Sequence, residues 1–295
     1  MRNYKIITDS TCDLPSTVIR ELDVHVIPME YILDGVSHHQ DIEDEGEETA
    51  SFYGSLREGK VSSTSMINTA RFIGVFEPYL KAGQDILHIS FSSALSGSYN
   101  ASRMAAEELK ELYPERKILV LDSIAASIGQ GLLVYHAALK KRQGLTHEEL
   151  YVWLEENKKQ ICHWFTVEDL MHLKRGGRIS ALSANIGTAL NIKPILSVNM
   201  EGKLVNLGKV MGRKKSLSEL IIKMKTSIET PENQVVIIGH GDSLKDAEFL
   251  SSKLKNELHV KEVIMTQIGP IIGSHTGPGM IGLTFIGDRE PQQPS

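Results

Sequence analysis

The sequence predicts an α/β protein in two parts: an N-terminal domain on a parallel sheet and a C-terminal α+β domain on a mixed sheet. Three observations lead there. In the first half, short apolar β-rich segments alternate with helical ones, the pattern of a parallel sheet with helices packed on it. In the second half, strand candidates often follow one another with no helix between. The charged stretch Glu155 to Gln160 separates the two patterns. We place the boundary within 158–162, giving domains of 1–160 and 161–295. A chain of 295 residues is long enough for two domains of ordinary size.

Tyr4 to Thr8 reads as the first strand, and Asp9-Ser10-Thr11 with Pro15 introduces a helix through Leu22. Val24 to Pro28 and Glu30 to Leu33 read as short strands, with a hairpin signal at Asp34-Gly35. Glu47 to Arg57 is helical. Ser62-Ser63-Thr64-Ser65 is expected to begin a helix whose body runs from Ala70 to Leu80. Ile86 to Phe91 is a buried strand before a helix from Ser98 to Tyr113. Lys117 to Leu121 is a strand before a helix from Ala125 to Gln143, and Thr146 starts another reaching Lys159. Beyond the boundary, strands are expected at Trp164–Val167, Pro194–Val198, Leu204–Lys209, Gln234–Gly239, Glu262–Ile268 and Ile281–Ile286. Helices fit Ser183–Leu190, Ser216–Ile228 and Leu244–Leu258. No short repeat occurs, and Pro291 to Ser295 is a polar tail.

Composition narrows the function. Hydrophobic residues make up 41% and charged residues 23%, the mix of a soluble globular protein. A net charge of −5 gives no global pull toward nucleic acid. The apolar run Ile6-Ile7 is far too short for a signal peptide or a membrane span. The 2 cysteines, Cys12 and Cys162, are expected as free thiols of a cytoplasmic protein.

Small hydroxyl residues gather just after strands: Thr8-Asp9-Ser10-Thr11, Ser92 to Ser98, and Asp122-Ser123, with Ser62 to Ser65 as a fourth group. In open α/β sheets, ligands bind outside the carboxyl ends of the strands. Hydroxyls there add donors beside free helix N–H groups, which suits a carboxylate or a phosphate. The alternative is that each residue merely caps its helix. The second half supplies cations and glycines. Leu173-Lys174-Arg175-Gly176-Gly177-Arg178-Ile179-Ser180 sets basic residues around a glycine pair. Gly269 to Gly279 carries His275 in what reads as a rigid, glycine-punctuated loop. The alternatives are an exposed salt bridge for the arginines and a structural histidine.

Several motifs fail on context. Gly277-Pro278-Gly279-Met280-Ile281-Gly282 satisfies G-x-G-x-x-G but precedes a strand rather than a helix. Gly241-Asp242-Ser243-Leu244 spells an esterase motif, yet Ser243 with Asp246 reads better as a helix cap. There is no G-x-S-x-G elbow and no phosphate loop. His38-His39 near Asp41 reads as a solvated loop rather than a metal site. Cys12 stands at a helix start but lacks an arginine at phosphatase spacing.

Taken in order, the motifs resemble those of the DegV family. Thr8-Asp9-Ser10 with Cys12-Asp13-Leu14-Pro15 is similar to its T-D-S-x-x-D-L-P opening. Thr64-Ser65 resembles its T-S pair, Ser92 to Tyr99 its S-S-x-L-S-G-T/S-Y/F signature, and Asp122-Ser123 its D-S step. Leu173 to Ile179 and Gly269 to Gly279 are similar to its L-x-R-G-G-R-I and G-P-V-I-G-x-H-T-G-P-G segments. The resemblance runs from residue 4 to 287. It implies a two-domain fold with a long-chain fatty acid bound between the domains, and no catalysis by the chain itself. By the same resemblance Thr64 and Ser96 hydrogen-bond the carboxylate, with Ser65 and Gly97 in the same motifs. His275 and either Arg178 or Arg175 support the head group. No metal or other cofactor is implied. Some members serve as the lipid-binding subunit of a fatty acid kinase, whose separate catalytic protein phosphorylates the presented carboxylate with ATP. Two positions depart from the pattern: Met66-Ile67 replaces Q-P after the T-S pair, and Met211 replaces the arginine of K-V-R-x-x-K-K. Since the latter arginine is a candidate kinase contact, Met211 bears on that partnership.

The physics fits such a ligand. About fifteen methylenes at roughly 0.8 kcal/mol each give on the order of 12 kcal/mol of gross burial, much of it offset by association costs. The tail then supplies affinity and the polar cluster orientation. Ile67, Phe72, Phe76, Leu95 and the stretch 186–192 are candidates for an apolar tunnel. The rival reading from another class is an ester or phosphate hydrolase using Ser96 or Ser243 as nucleophile.

Overall fold

The computed structural model describes residues 3–40, 42, 46–179 and 191–289. The helix expected over Ser183–Leu190, residue Ser180, and the tail Pro291–Ser295 lie outside the described residues. The first sheet is wholly parallel and contains β1 (Tyr4–Asp9), β2 (His25–Ile27), β6 (Asp85–Ser90) and β7 (Ile118–Asp122), in the order β2-β1-β6-β7. Its helices cover both faces. On one face, α3 (Thr69–Lys81) and α4 (Ser98–Leu112) bury Phe72, Phe76, Ala105 and Leu109 against Ile7 and Ile86. On the other lie α1 (Ser16–Leu22), α5 (Ile128–Arg142) and α6 (His147–Asn157), packed on Ile6, Leu87 and Ile89. Burial on both sides explains why β6 is buried at every residue and reads as a continuous apolar run.

Between β2 and α3 the chain makes a small antiparallel sheet, β3 (Glu30–Leu33), β4 (Val36–His39) and β5 (Ser62–Thr64), with α2 (Glu47–Arg57) inserted before β5. This corrects the expectation for Ser62–Thr64. These residues pair with Leu33, Ile32 and Tyr31 instead of opening a helix. The helix starts later because Asn68 Oδ1 accepts the Arg71 amide and caps it.

The second sheet is mixed, with six strands in the order β10-β9-β8-β13-β11-β12. They are β8 (Ile161–Thr166), β9 (Ile192–Val198), β10 (Leu204–Met211), β11 (Val235–His240), β12 (Glu262–Gln267) and β13 (Ile281–Ile286). Helices α8 (Arg213–Ser227) and α9 (Leu244–Glu257) cover its outer face around Trp164, Leu220 and Phe285. Two short helices, α7 (Met171–Arg175) and α10 (Pro270–Thr276), lie near the first sheet's loops. The segment expected as a glycine loop is therefore mostly helix. Pro270 stands at its first turn, where a missing N–H costs nothing. Only Gly277 (φ 72°) and Gly279 (φ 79°) take left-handed backbone there, and they end it. Among the described residues no helix is long and apolar enough to cross a membrane.

Helix α5 lies between the two sheets and is buried at every position from Ile128 to Val134. Two glycines permit its close approach. A β-carbon on Gly129 would lie 1.8 Å from His163 Nε2 of β8, and one on Gly131 2.4 Å from the Cys12 carbonyl oxygen. We expect Gly129→Ala to cost about 1–3 kcal/mol through overpacking. Gly74→Ala, at an exposed position of α3 with nothing within 4 Å of the new carbon, should gain about 0.5–1 kcal/mol. Urea unfolding of the two variants checks this; equal midpoints would contradict the packing of α5.

Candidate functional site

A cavity of about 890 Å³, part of it open to solvent, lies where the carboxyl ends of the first sheet face the inner side of the second. Loops after β1, β6 and β7 supply Thr11, Phe91, Leu95 and Ala126 to its wall; the second sheet supplies Phe165, Val198, Leu204 and Gly282. Hydroxyls, two imidazoles and a guanidinium also line it, among them Thr64, Ser65, Ser96, His163, Arg178 and His275.

Each polar group is placed by local structure. Thr64 ends β5 opposite Tyr31, and its Oγ1 lies 2.9 Å from His275 Nε2 on α10. Two residues earlier on β5, Ser62 Oγ meets Ser274 Oγ at 2.7 Å, so β5 and α10 are joined twice. Ser96 follows β6 in a turn whose amide donates to the Ser92 carbonyl. Its Oγ accepts from the Ser98 amide at 3.3 Å and sits 3.1 Å from Ser98 Oγ. Ser98 Oγ in turn accepts from the Ile67 amide at 3.2 Å, which ties the Ser96 turn to the segment carrying Thr64. Arg178 donates from Nη1 to the Gly176 carbonyl at 2.6 Å and from Nε to the Leu95 carbonyl at 3.3 Å. The two arginines left open by the sequence separate here: Arg178 lines the cavity, whereas Arg175 is exposed at the end of α7. Gly97 does not line the cavity. It precedes α4, and a β-carbon on it would lie 2.6 Å from Met66 Sδ.

The histidine is neutral near pH 7. Burial pushes the His275 pKa down to about 4, and the Arg178 charge adds to the effect. A β-carbon on Gly176 would lie 2.2 Å from its Nδ1, so the turn after α7 packs against the Nδ1 edge of the ring. Among the described residues no group of His, Cys, Asp and Glu could hold a metal ion.

The sequence matches the model of the DegV family, described as uncharacterised proteins, over residues 3–288. A DegV domain-containing protein of Clostridium perfringens is 46% identical over 292 residues, covering 99% of this chain and all of the relative. The chain belongs to the DegV family. Among solved structures, a DegV lipid-binding protein from Thermotoga maritima superposes with a TM-score of 0.85 at 30% identity, covering 98% of this chain and 100% of its own. A DegV protein from Thermus thermophilus, described for its fatty acid binding, gives 0.87 at 30% identity, covering 97% and 100%.

Several DegV motif residues do structural work instead. Thr8 Oγ1 donates to the Ile89 carbonyl, and Asp122 Oδ1 accepts the Ser93 and Ile124 amides. Asp13, read only as part of the opening motif, receives the Gly269 amide at 2.9 Å and the Ser127 hydroxyl at 2.6 Å. Gln40 accepts the Ile271 amide at 3.0 Å. Side chains of the first part thus cap the helix that carries His275. Sequence reasoning missed them because the partners are 256 and 231 residues apart. Burial pushes the Asp13 pKa up to about 7 against those hydrogen bonds.

The expected tunnel lining is partly corrected. Leu95 does line the cavity. Phe72 and Phe76 are fully buried against the first sheet, Phe72 edge-on to His88 and Phe76 tilted against it, and Ile67 belongs to the same cluster. Within 186–192, residues 186–190 lie outside the described residues, and Ile192 begins β9. The esterase-like segment is ordinary as well. The Ser243 amide, not its hydroxyl, meets His240 Nδ1, and Ser243 makes no side-chain cap. Asp246 is taken by Arg213 at 2.7 Å.

A buried neutral histidine sets a pH dependence. The folded pKa of about 4 lies below the unfolded value, so the unfolded chain takes up the proton first and stability falls as pH drops from about 6.5 toward 4. Asp13, shifted the opposite way, favours the fold over the same descent, so the comparison must isolate His275. Between pH 7 and 4.5 the wild type should lose roughly 2 kcal/mol relative to His275→Gln. Chemical denaturation at a series of pH values measures it, and parallel curves would contradict the burial of the ring.

Proposed function

We propose that this DegV protein holds one long-chain fatty acid, with the acyl chain in the cavity and the carboxylate at Thr64, Ser96, His275 and Arg178. Ser65 lines the same region, and Gly97 supports it from beneath. The observation that carries this reading is a single cavity whose walls are mainly apolar and which brings Thr64 within hydrogen-bond distance of His275. Solved DegV structures described as fatty-acid binding, from Thermus thermophilus, Thermotoga maritima and Bacillus subtilis, support it.

The chemistry is consistent. A buried carboxylate is costly without partners. If neutral His275 donates from Nε2 to Thr64 Oγ1, the threonine proton is free to point at the ligand. Ser96 adds a second hydroxyl and Arg178 a charge. The apolar wall contributes most of the affinity, and the polar cluster fixes which end of the ligand lies where. The chain itself performs no chemistry in this reading. It presents the carboxylate to a separate fatty acid kinase that phosphorylates it with ATP. Support for that step comes from the family motifs alone, and Met211, exposed at the end of β10, stands where the pattern has arginine.

Denatured protein, freshly expressed, should release one long-chain fatty acid per chain by mass spectrometry. Thr64→Ala and Ser96→Ala should each weaken binding by about 10-fold, the value of a hydrogen bond to a charged acceptor, with little change in thermal midpoint without ligand. A chain free of lipid that also fails to bind added fatty acid would end the proposal. Adding a DegV-partnered kinase and ATP should yield acyl phosphate; its absence would remove the presentation step alone.

A further inference from the structure

Three methionines line the cavity: Met29, Met66 and Met280. Met29 and Met280 are buried at 5% and 4% exposure, but Met66 is 53% exposed. Among the described residues it is the methionine that faces both the cavity and the solvent. The other well-exposed methionines, Met104, Met171, Met211 and Met265, do not line the cavity. Met66 follows Ser65 directly, and its sulfur is seated on Gly97, where a β-carbon would lie 2.6 Å from Sδ and 3.5 Å from the methyl. The thioether therefore stands at the rim beside Ser65 and Ser96.

We propose that Met66 is a site of oxidative modification that controls occupancy of the cavity. The inference rests on the fatty-acid reading. Hydrogen peroxide is the oxidant. Its O–O bond breaks, one oxygen forms an S–O bond with the thioether, and the other leaves as water. The sulfur loses two electrons to the peroxide, and the product is methionine sulfoxide. The new oxygen has two consequences. A sulfur packed this closely on Gly97 has no room for a substituent on that side, so an oxygen added there drives the side chain from its seat, while one added on the open side stands at the rim. The sulfoxide oxygen is also a strong acceptor, and the Ser96 hydroxyl can donate to it in place of a carboxylate. Both effects weaken the hold on a ligand head group at the rim and leave the apolar wall untouched.

The test uses the full chain stripped of lipid and titrated with a fluorescent polyene fatty acid. After peroxide treatment, peptide mass spectrometry should find the sulfoxide at Met66, and affinity should fall about 10-fold, the worth of a hydrogen bond to a charged acceptor. Methionine sulfoxide reductases should restore it. Met66→Leu, treated with peroxide, should keep the affinity it shows before treatment, although Met104 and Met211 oxidise in it too. Full oxidation of Met66 with unchanged affinity would overturn the proposal, as would a parallel loss in Met66→Leu. So would an unmodified Met66 under conditions that oxidise Met104 and Met211. Failure of the untreated protein to bind the probe would be a different result: it would sink the fatty-acid reading, and this inference with it.

Discussion

The packing of α5 between the two sheets is the contact on which the rest of the structure depends. Surface helices are apolar along one stripe; one that is apolar all round must be enclosed. From Ile128 to Val134 nothing of α5 reaches solvent, and the exceptions to its apolar character are tied down. Gln130 donates to Thr8 Oγ1 at 2.9 Å and accepts from Thr11 Oγ1 at 2.8 Å, fastening the helix to the end of β1. Gly129 lets β8, and Gly131 the turn after β1, approach the helix axis more closely than any side chain would permit. One core cluster consequently runs from Ile6 and Leu87 of the first sheet through Leu132 and Leu133 to Phe165 and Ile237 of the second. The helix acts as a wedge. At its first turn Ala126, Ser127 and Ile128 form part of the cavity wall. The cavity follows from where the wedge stops.

That origin explains the chemistry of the walls. The inner face of a sheet covered by helices is apolar, so the side contributed by β8, β9 and β13 is greasy. The side contributed by loops after parallel strands carries free backbone groups and small polar residues. Most of those residues are consumed by the backbone itself, as Thr8, Asp122 and Ser123 show. Thr64 differs because β5 is a short strand of a separate sheet, and its side chain faces α10 rather than its own backbone. The polar cluster is thus assembled from β5, the turn after β6, the segment after α7, and α10, each held by different neighbours. Burial keeps His275 uncharged, so Arg178 is the cation of that cluster, and its guanidinium is already engaged by two carbonyls.

Much of this was legible in the sequence wherever the signal was local. Period and length marked α2 over Glu47–Arg57 and β13 over Ile281–Ile286 with the bounds observed. The family motifs singled out Thr64, Ser65, Ser96, Gly97, His275 and either Arg175 or Arg178; of these, Arg175 and Gly97 do not line the cavity and the others do. Legibility failed where the deciding interaction was distant or two local signals competed. A run of serines and threonine before a helix reads as a cap, yet Asn68 is nearer the helix and takes that role, leaving Ser62–Thr64 free to pair with β3. Glycines and prolines read as loop, yet α10 forms because Asp13 and Gln40 satisfy its first amides from far away in the chain. Phe72 and Phe76 look like tunnel residues by composition. Only the helix face they occupy turns them toward His88 instead.

The dependence of α10 on Asp13 and Gln40 has a thermodynamic consequence for the site. His275 and Thr64 are 211 residues apart, and their meeting requires β5, α10 and the wedge helix all to be in place. The helix of His275 is too short to be stable by propensity. Its amides are capped by the first part of the chain, its Ile268 neighbour accepts the Tyr53 hydroxyl at 2.9 Å, and Ser62 grips Ser274. Each contact crosses between residues of the first sheet's half and residues of the second's. Whatever occupies the cavity is therefore bound by the docked arrangement and by neither part alone. Binding to the folded state only then adds to the stability of the whole, and it does so by reinforcing the junction at which α5, β5 and α10 already hold the two sheets together.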